Sequence, residues 1–293
     1  MKKLFYMISL LAIVSSSFAQ QKDWSSVEKV FNKKGTVQDN VFKISFPRSD
    51  LKVKVGDFSV APGLALGSWI GFIMNSNGMK MDENDMMMGD LVLLEKEVGP
   101  VISKLLSENL EVTAIHNHLL NEQPAIKYIH FSGKGDAVKL AEEIKSVLEV
   151  TGTPLSSPSP QTQQTSPDWS AVESILGSSG KKNGNLLQYS FARNEKLTES
   201  GMEMPASMGM AIAINFQMSE NKAAITGDFV LLDKEVNPVM KALTDNGIAV
   251  TALHNHMLYD NPRLFMMHFW AVDDPGKLAK GLKAALDLTN SKK

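Results

Sequence analysis

The sequence predicts an α+β fold made of two homologous domains, each with an antiparallel or mixed sheet and helices packed on one face of it. The first observation behind this prediction is a duplication. The segment 227–269 matches the segment 89–131 without a gap, and about half of the positions are identical. The second observation is that strand-like and helix-like periodicities alternate as β-α-β-β-α within each copy. The repeat is far longer than the roughly 20–50 residues of stacked repeats, so it indicates two whole domains related by a pseudo-twofold.

Composition divides the chain into four segments. Residues 1–19 are predicted to be a signal peptide, because Lys2 and Lys3 precede an apolar run and small residues precede a cleavage site at Ala19. Residues 20–151 form the first repeat domain and 168–293 the second. Residues 152–167 are rich in Pro, Ser, Thr and Gln and are predicted to be a flexible linker, since they have too few apolar side chains to form a core.

The signal peptide predicts a periplasmic or secreted protein. Its apolar run is too short to span a bilayer comfortably, and no other run is long enough, so no membrane span is expected after its removal. A net charge of -2 excludes the basic surface typical of nucleic-acid binding, so the expected partner is a small-molecule or cell-envelope ligand. The absence of cysteine excludes disulfides, thiolate metal sites and a lipid-modified cysteine.

The elements of the first half follow from periodicity and from residues typical of helix ends. A helix is expected to open at Asp23 as its N-cap, and Asp136 is expected to cap the closing helix through residue 148. A further helix is predicted over 97–109, with Pro100 tolerated in its first turn. Strands are predicted over 41–46, 51–55, 64–74 and 91–94, with a loop over 75–85.

All six histidines lie in two copies of one predicted hairpin, 112–131 and 250–269. Each copy reads His-Asn-His and has a third histidine after a turn. Side chains two residues apart on a strand point to the same face, and a hairpin centred on Gln123 would place His116 directly opposite His130. Each half is therefore predicted to hold its own three-histidine site, formed by His116, His118 and His130 in the first half and by His254, His256 and His268 in the second.

Three neutral imidazoles with an open position are typical of a catalytic divalent transition-metal site, for which zinc is favoured and copper is the alternative. Two carboxylates follow the His-Asn-His segments and are candidates for a fourth oxygen ligand or a general base: Glu122 and Asp260. Four more recur in both halves and are candidates for carboxylates that orient an imidazole: Asp90, Glu97, Asp228 and Glu235.

These residues are compatible with several functions. A metal site predicts an exported metal-dependent hydrolase or oxidoreductase. The same polar face also suits a non-enzymatic periplasmic binding module for an envelope component or a small polar ligand, and a purely structural role is the third possibility. The 17 methionines suit either copper binding or core packing. A cupin is disfavoured because a helix precedes the histidine strand in both halves.

The motifs of both halves resemble a known family. The Gly-Asp strand, the Lys-Glu-Val-x-Pro-Val helix, the Val-Thr-Ala-x-His-Asn-His segment and the His-Phe ending are similar to the LppY/LpqO-type family, a domain of unknown function. The first half also has the Pro-Arg-x-Asp-Leu segment of that family at 47–51, whereas the second half departs from it around Arg193. The resemblance implies an exported domain present in two tandem copies and implies no particular reaction.

Overall fold

The computed structural model describes residues 22–74, 85–156 and 166–292. The predicted signal peptide, most of the predicted linker and nearly all of the loop predicted over 75–85 lie outside these residues. Each half contains a six-stranded antiparallel sheet with helices against it, so the predicted α+β duplication is confirmed.

The strand order is the same in the two halves. The first sheet has the order β1-β2-β5-β6-β9-β7 and the second has the order β10-β11-β14-β15-β18-β16, and each half adds a three-stranded sheet, β4-β3-β8 or β13-β12-β17. The first-half elements are α1 Ser25–Phe31, β1 Thr36–Gln38, β2 Val41–Pro47, β3 Val53–Val55, β4 Phe58–Val60, α2 Pro62–Ala65, β5 Gly67–Ile73, β6 Asp85–Leu94, α3 Glu95–Ser107, β7 Glu111–His116, β8 Glu122–Gln123, β9 Ile126–Gly135 and α4 Ala137–Leu148. The second-half elements are α5 Ser170–Leu176, β10 Lys181–Asn183, β11 Leu186–Ala192, β12 Thr198–Glu199, β13 Met202–Glu203, a 3₁₀ turn Ala206–Met208, β14 Ala211–Ser219, β15 Lys222–Leu231, α6 Asp233–Asp245, β16 Ala249–His254, β17 Asp260–Asn261, β18 Phe265–Asp273 and α7 Pro275–Leu286.

Most predicted elements form, with shifted ends. The Asp23 side chain accepts from the Ser25 backbone N–H at 2.9 Å, although α1 begins one residue later than an Asp23 cap would place it. Asp136 caps α4 as predicted. The strand predicted over 64–74 is instead the short helix α2 followed by β5, because Pro62 supplies the fixed φ of a first helical turn. The strand predicted over 91–94 is the end of the longer β6.

Both faces of each sheet are covered. Helices α1, α3 and α4 bury one face of the first sheet, with Phe31, Val101 and Ile144 packed against strand residues. The other face packs against the second half, where Val41 and Met88 belong to the core of that half. Strand β6 is buried along almost its whole length for this reason. The two halves therefore share a hydrophobic interface between their sheets.

Reciprocal hydrogen bonds join the halves beyond this core. The Gln217 side chain accepts from the Ala61 N–H at 2.8 Å and donates to the Ser59 carbonyl at 2.8 Å. Ser207 donates to the Gln38 carbonyl at 3.1 Å. Each half thus extends a short segment over the sheet of the other, and the halves form one unit around a shared cavity.

The methionines in the described part of the chain support core packing. A set of them is buried in hydrophobic clusters: Met86, Met87, Met88, Met204, Met208 and Met210. Met79 and Met81 lie outside the described residues. No helix among the described residues is long and apolar enough to cross a membrane.

Candidate metal centre

The strand register differs from the predicted hairpin. His116 ends β7 and pairs with Tyr128, while His130 on β9 pairs with Ala114. The predicted pairing of His116 with His130 is therefore wrong. The connection between the strands, in which β8 joins another sheet, centres the pairing on Glu122 instead of Gln123, so the register shifts by two residues. Because the shift keeps side-chain parity, the His116 and His130 rings still share a face, with centroids 5.0 Å apart.

The six imidazoles form one cluster across the two halves, rather than one site in each half. The closest ring pairs join opposite halves: His116 with His254 at 3.8 Å, His118 with His268 at 3.9 Å, and His130 with His256 at 3.7 Å between centroids. The prediction of a self-contained site in each half is corrected accordingly.

Two hydrogen bonds hold the histidine segments against each other. The Thr113 hydroxyl donates to the His256 carbonyl at 2.6 Å, and the Thr251 hydroxyl donates to the His118 carbonyl at 2.7 Å. These threonines belong to β7 and β16, the last strands in the order of their sheets. The reciprocal pair indicates that the pseudo-twofold passes through the histidine cluster.

Three groups of side chains have ligand atoms that all lie within 4.8 Å of one another. The groups are His116, His130, His254 and His256; His116, His118 and His268; and Asp228, His256 and His268. Every histidine of the chain belongs to at least one group. The first two groups combine residues of both halves, so the ligand sets depend on how the halves pack.

The six histidines divide into two non-overlapping sets that the pseudo-twofold interchanges. We call His116, His118 and His268 the first trio, and His130, His254 and His256 the second trio. The first trio is itself one of the groups, and the second is contained in the four-histidine group. Each trio takes the His-x-His pair of one half and the third histidine of the other half.

The ring nitrogens are arranged as metal ligands need them. His268 donates from Nδ1 to the Gly227 carbonyl at 2.8 Å, which leaves its Nε2 as the lone-pair atom, and that atom has no partner. His130 has a corresponding backbone hydrogen bond with Gly89, and its Nε2 also has none. Further ring nitrogens in the cluster are buried without a hydrogen-bond partner: His116 Nδ1, His254 Nδ1 and Nε2, and His256 Nε2. Buried polar atoms normally find partners, so these fit a bound cation.

The repeated Gly-Asp motif has a steric reason. A Cβ at Gly227 would overlap the Ala213 carbonyl oxygen, and a Cβ at Gly89 would overlap the Trp69 carbonyl oxygen and the Phe131 ring. Only glycine permits this close approach of neighbouring strands. The same glycines supply the carbonyls that orient the histidine rings.

Burial keeps the imidazoles neutral. It lowers the pKa of His268 to about 4, of His130 to about 3 and of His254 to about 2, and it lowers the pKa of the other three as well. Neutral imidazole is the form that binds a metal. Burial also raises the pKa of Asp90 to about 8 and raises that of Asp228. The cluster thus gathers lone pairs and two buried carboxyl groups, a donor set that fits a divalent transition metal.

The predicted carboxylates separate into three pairs. Asp90 and Asp228 belong to the cluster. An Asp90 oxygen lies 3.7 Å from His118 Nε2 and 3.9 Å from His130 Nε2, and an Asp228 oxygen lies 3.4 Å from His256 Nε2. Asp228 is itself a member of one ligand group.

The second pair, Glu122 and Asp260, closes turns. Glu122 accepts from the Ile126 N–H at 3.1 Å, and Asp260 accepts from the Leu264 N–H at 2.6 Å. Neither is a member of the ligand groups found among the described residues.

The third pair, Glu97 and Glu235, binds buried arginines. Arg48 donates to Glu97 at 2.7 Å and Arg193 donates to Glu235 at 2.8 Å, and each arginine also donates to a backbone carbonyl of the Gly-Asp strand. Arg193 therefore makes the same contacts as Arg48, although its flanking sequence departs from the family segment. The sequence signal for the Glu97 and Glu235 contacts was an arginine that recurs at the equivalent position of each half, as Arg48 and Arg193.

A cavity of about 700 Å³ lies between the sheets and reaches the cluster. Four histidines and both cluster aspartates line it: His118, His130, His256, His268, Asp90 and Asp228. Its other lining residues include Lys43 and Trp69, which sequence reasoning missed because nothing in the local pattern places β2 opposite the second half. The candidate metal ligands are therefore open to a small molecule.

The chain belongs to the family described as Domain of Unknown Function (DUF1259), whose model matches residues 25–150 and 170–288. The predicted two-copy organisation of a domain of unknown function is thereby confirmed. No curated protein matches the chain.

Similar solved structures are remote. They include the ligand-free regulatory subunit of aspartate kinase from Thermus thermophilus (11% identity, TM-score 0.22, covering 75% of this chain and 95% of that chain). The trimeric bacterial microcompartment shell protein PduB has 11% identity and a TM-score of 0.22, covering 87% and 90%. EtuB from Clostridium kluyveri has 10% identity and a TM-score of 0.20, covering 80% and 91%.

Proposed function

We propose that the protein binds two transition-metal ions, with zinc favoured, at the cavity between its halves and uses them for metal-assisted hydrolysis. The observation that carries this proposal is the meeting of six neutral imidazoles, most with buried unpartnered ring nitrogens, four of which line a cavity of about 700 Å³. Each ion would be held by one trio.

Two ions use the donors more completely than one. A single ion in the four-histidine group would leave His118 and His268 unused, with the buried Nε2 of His268 still unpartnered. One ion in each trio uses all six rings. This arrangement also obeys the pseudo-twofold, because each trio consists of the His-x-His pair of one half and the third histidine of the other half.

Zinc is favoured by the donor set. Three imidazoles with an open position are a common catalytic zinc arrangement, and Asp90 or Asp228 is close enough to supply an oxygen donor to either trio. Copper remains the alternative metal because imidazole binds it well, but the buried methionines pack in hydrophobic clusters, which weakens the case for a thioether site.

The choice of zinc favours hydrolysis over oxidation or reduction at the metal, since zinc itself has no redox chemistry. When bound, a pair of ions would polarise a substrate oxygen and lower the pKa of a water molecule. The chain would supply the rest. The glycine carbonyls hold the imidazole rings in place. The Asp90 and Asp228 carboxyl groups face the cavity, where one of them would exchange a proton with the reacting atoms.

The competing function is a periplasmic binding module without catalysis. The polar lining of the cavity favours it, because such a pocket also suits a small polar ligand. The two functions differ in whether a bound substrate is converted.

The test is metal content followed by activity. Full-length protein is stripped with chelator, reloaded with Zn²⁺ and dialysed, and zinc is counted by elemental analysis. Two zinc ions per chain, together with zinc-dependent hydrolysis of p-nitrophenyl phosphate or p-nitrophenyl acetate, are expected. His116→Ala/His254→Ala should lose both ions.

Asn117→Ala is the matched control, because Asn117 stands between two histidines but its side chain accepts from Lys127 at 2.9 Å. It should keep metal and activity. Absence of bound zinc in the parent protein overturns the metal centre. Two bound ions without turnover of either ester favour the binding module.

We also propose that the chain is exported to the periplasm or beyond and belongs to the LppY/LpqO-type group within its family. The basic and apolar character of the first 19 residues supports export. N-terminal sequencing of the mature protein tests it, with Gln20 expected as the first residue. A mature protein that still begins at Met1 would contradict it.

A further inference from the structure

We propose that the cavity binds a small anionic substrate, with a phosphate or carboxylate group paired to Lys43. The inference rests on the proposed metal centre, which would form the reacting end of the same cavity. It names the chemical class of the substrate, which the histidine cluster alone leaves open.

Lys43 makes no ion pair with a described carboxylate, although the charge of Asp90 acts on it from a greater distance. It lies on β2 and lines the cavity, with its Nζ 3.7 Å from the centroid of the Trp69 ring. Its only hydrogen bond among the described residues is a long one of 3.4 Å to the Ser207 carbonyl. No described carboxylate forms an ion pair with it, whereas the buried Arg48 and Arg193 each form one. A half-buried ammonium group normally has a counter-charge, so an anion from outside the chain fits this position.

The position is specific to the first half. Register places Lys43 beside Gly71 in the first sheet, and the corresponding pair in the second sheet is Gln188 beside Asn215. Gln188 donates to the Asn215 side chain at 3.2 Å and to the Gly63 carbonyl at 3.1 Å, so its polar group is satisfied. The cavity lining is thus nearly symmetric in its histidines and aspartates and asymmetric at Lys43. A substrate would bind in one orientation, with its anionic group toward β2.

The charge balance of the loaded cavity favours an anion. Asp90 and Asp228 are the acidic side chains that line it, and Lys43 is the basic one. Two divalent ions exceed the two carboxylates in charge, and Lys43 adds to the excess. Burial lowers the pKa of Lys43 to about 8, which leaves the ammonium form predominant at neutral pH. The volume of about 700 Å³ suits a small molecule rather than a polymer.

The experiment measures anion binding to the zinc-loaded full-length protein. Inorganic phosphate and succinate are titrated calorimetrically in separate runs, and zinc content is measured on the same samples. Lys43→Gln introduces the residue found at the equivalent position of the second half, Gln188. This variant should bind the preferred anion about tenfold or more weakly, because it loses a charge-assisted hydrogen bond. Lys43→Arg should keep most of the affinity. The run with the larger Lys43 dependence identifies phosphate or carboxylate as the preferred group.

Lys139→Gln is the control, because that lysine is on α4 and its side chain is 76% exposed. It should bind as the parent does. If Lys43→Gln retains two zinc ions and binds both anions with unchanged affinity, the inference is wrong and the metal centre stands. If the parent protein takes up no zinc, the metal centre fails and the inference fails with it.

Discussion

The exchange of the third histidine between halves can be tested with two double variants. In the proposed centre, His118 and His268 belong to the same trio, while His118 and His130 belong to different trios. His118→Ala/His268→Ala should therefore damage one metal site and leave the second trio intact. His118→Ala/His130→Ala should remove one ligand from each trio. The two variants delete the same number of imidazoles, so each is the control of the other.

The expected magnitude follows from the ligand sets. The parent protein should hold two zinc ions, the His118/His268 variant one, and the His118/His130 variant none that survives dialysis. Ligand binding to the folded state adds about 2.7 kcal/mol to the free energy of unfolding at a free concentration 100 times the Kd. Zinc at that excess should thus stabilise the His118/His268 variant by about 2.7 kcal/mol and the parent by about twice as much, if the sites are independent.

Elemental analysis and urea unfolding with and without Zn²⁺ provide the two readouts. The reverse pattern, with one ion retained by His118→Ala/His130→Ala and none by His118→Ala/His268→Ala, would mean that each half uses its own histidines. One ion in the parent and in both variants would point to the four-histidine group as a single site. Either result refutes the exchange.

Three further predictions concern stability. Gly227→Ala should lower the free energy of unfolding by about 1–3 kcal/mol or more, because its Cβ overlaps the Ala213 carbonyl oxygen; an unchanged urea midpoint would contradict this. Arg48→Met should cost about 3–5 kcal/mol in the same assay, since it leaves the buried Glu97 without its partner, and Arg48→Met/Glu97→Met should recover much of the loss. Burial alone would raise the pKa of Glu97, but hydrogen bonds from Arg48 and two backbone N–H groups outweigh it and lower the pKa. Glu97 therefore contributes stability above its ordinary pKa of 4.5 and loses it as the pH falls further, and Glu97→Gln should flatten that acid limb of the unfolding free energy.

Much of the fold could be predicted because local signals agreed with it. The Asp136 cap, the apolar spacing of α4 and the gapless repeat of the Gly-Asp strand each depend on residues close together in the chain. The failures were equally local in origin. Pro62 begins a short helix within a run that has the pattern of a strand, and the connection between β7 and β9 centres their pairing on Glu122 instead of Gln123.

The candidate site was predictable in composition but only partly in arrangement. The six histidines and the Gly-Asp carboxylates, Asp90 and Asp228, were identified from the repeat and do come together. Carboxylates also recur at the positions of Glu122 and Glu97, as Asp260 and Glu235, yet Glu122 satisfies a backbone N–H group and Glu97 a buried arginine. In a duplicated chain, residues that the fold requires recur as well as residues that a site requires. Recurrence therefore could not distinguish these structural carboxylates from the carboxylates of the histidine cluster.

By itself, the sequence determined that the chain is two copies of one α+β domain and that every histidine belongs to one repeated segment. Only the tertiary structure decided which histidines meet. The sheets pack face to face, and the Thr113 and Thr251 hydrogen bonds draw the two histidine segments together. The three closest imidazole pairs then join opposite halves, as the 3.9 Å between the His118 and His268 ring centroids illustrates. Such pairing depends on contacts more than a hundred residues apart, which local periodicity does not encode, and it converts two predicted sites into one shared centre.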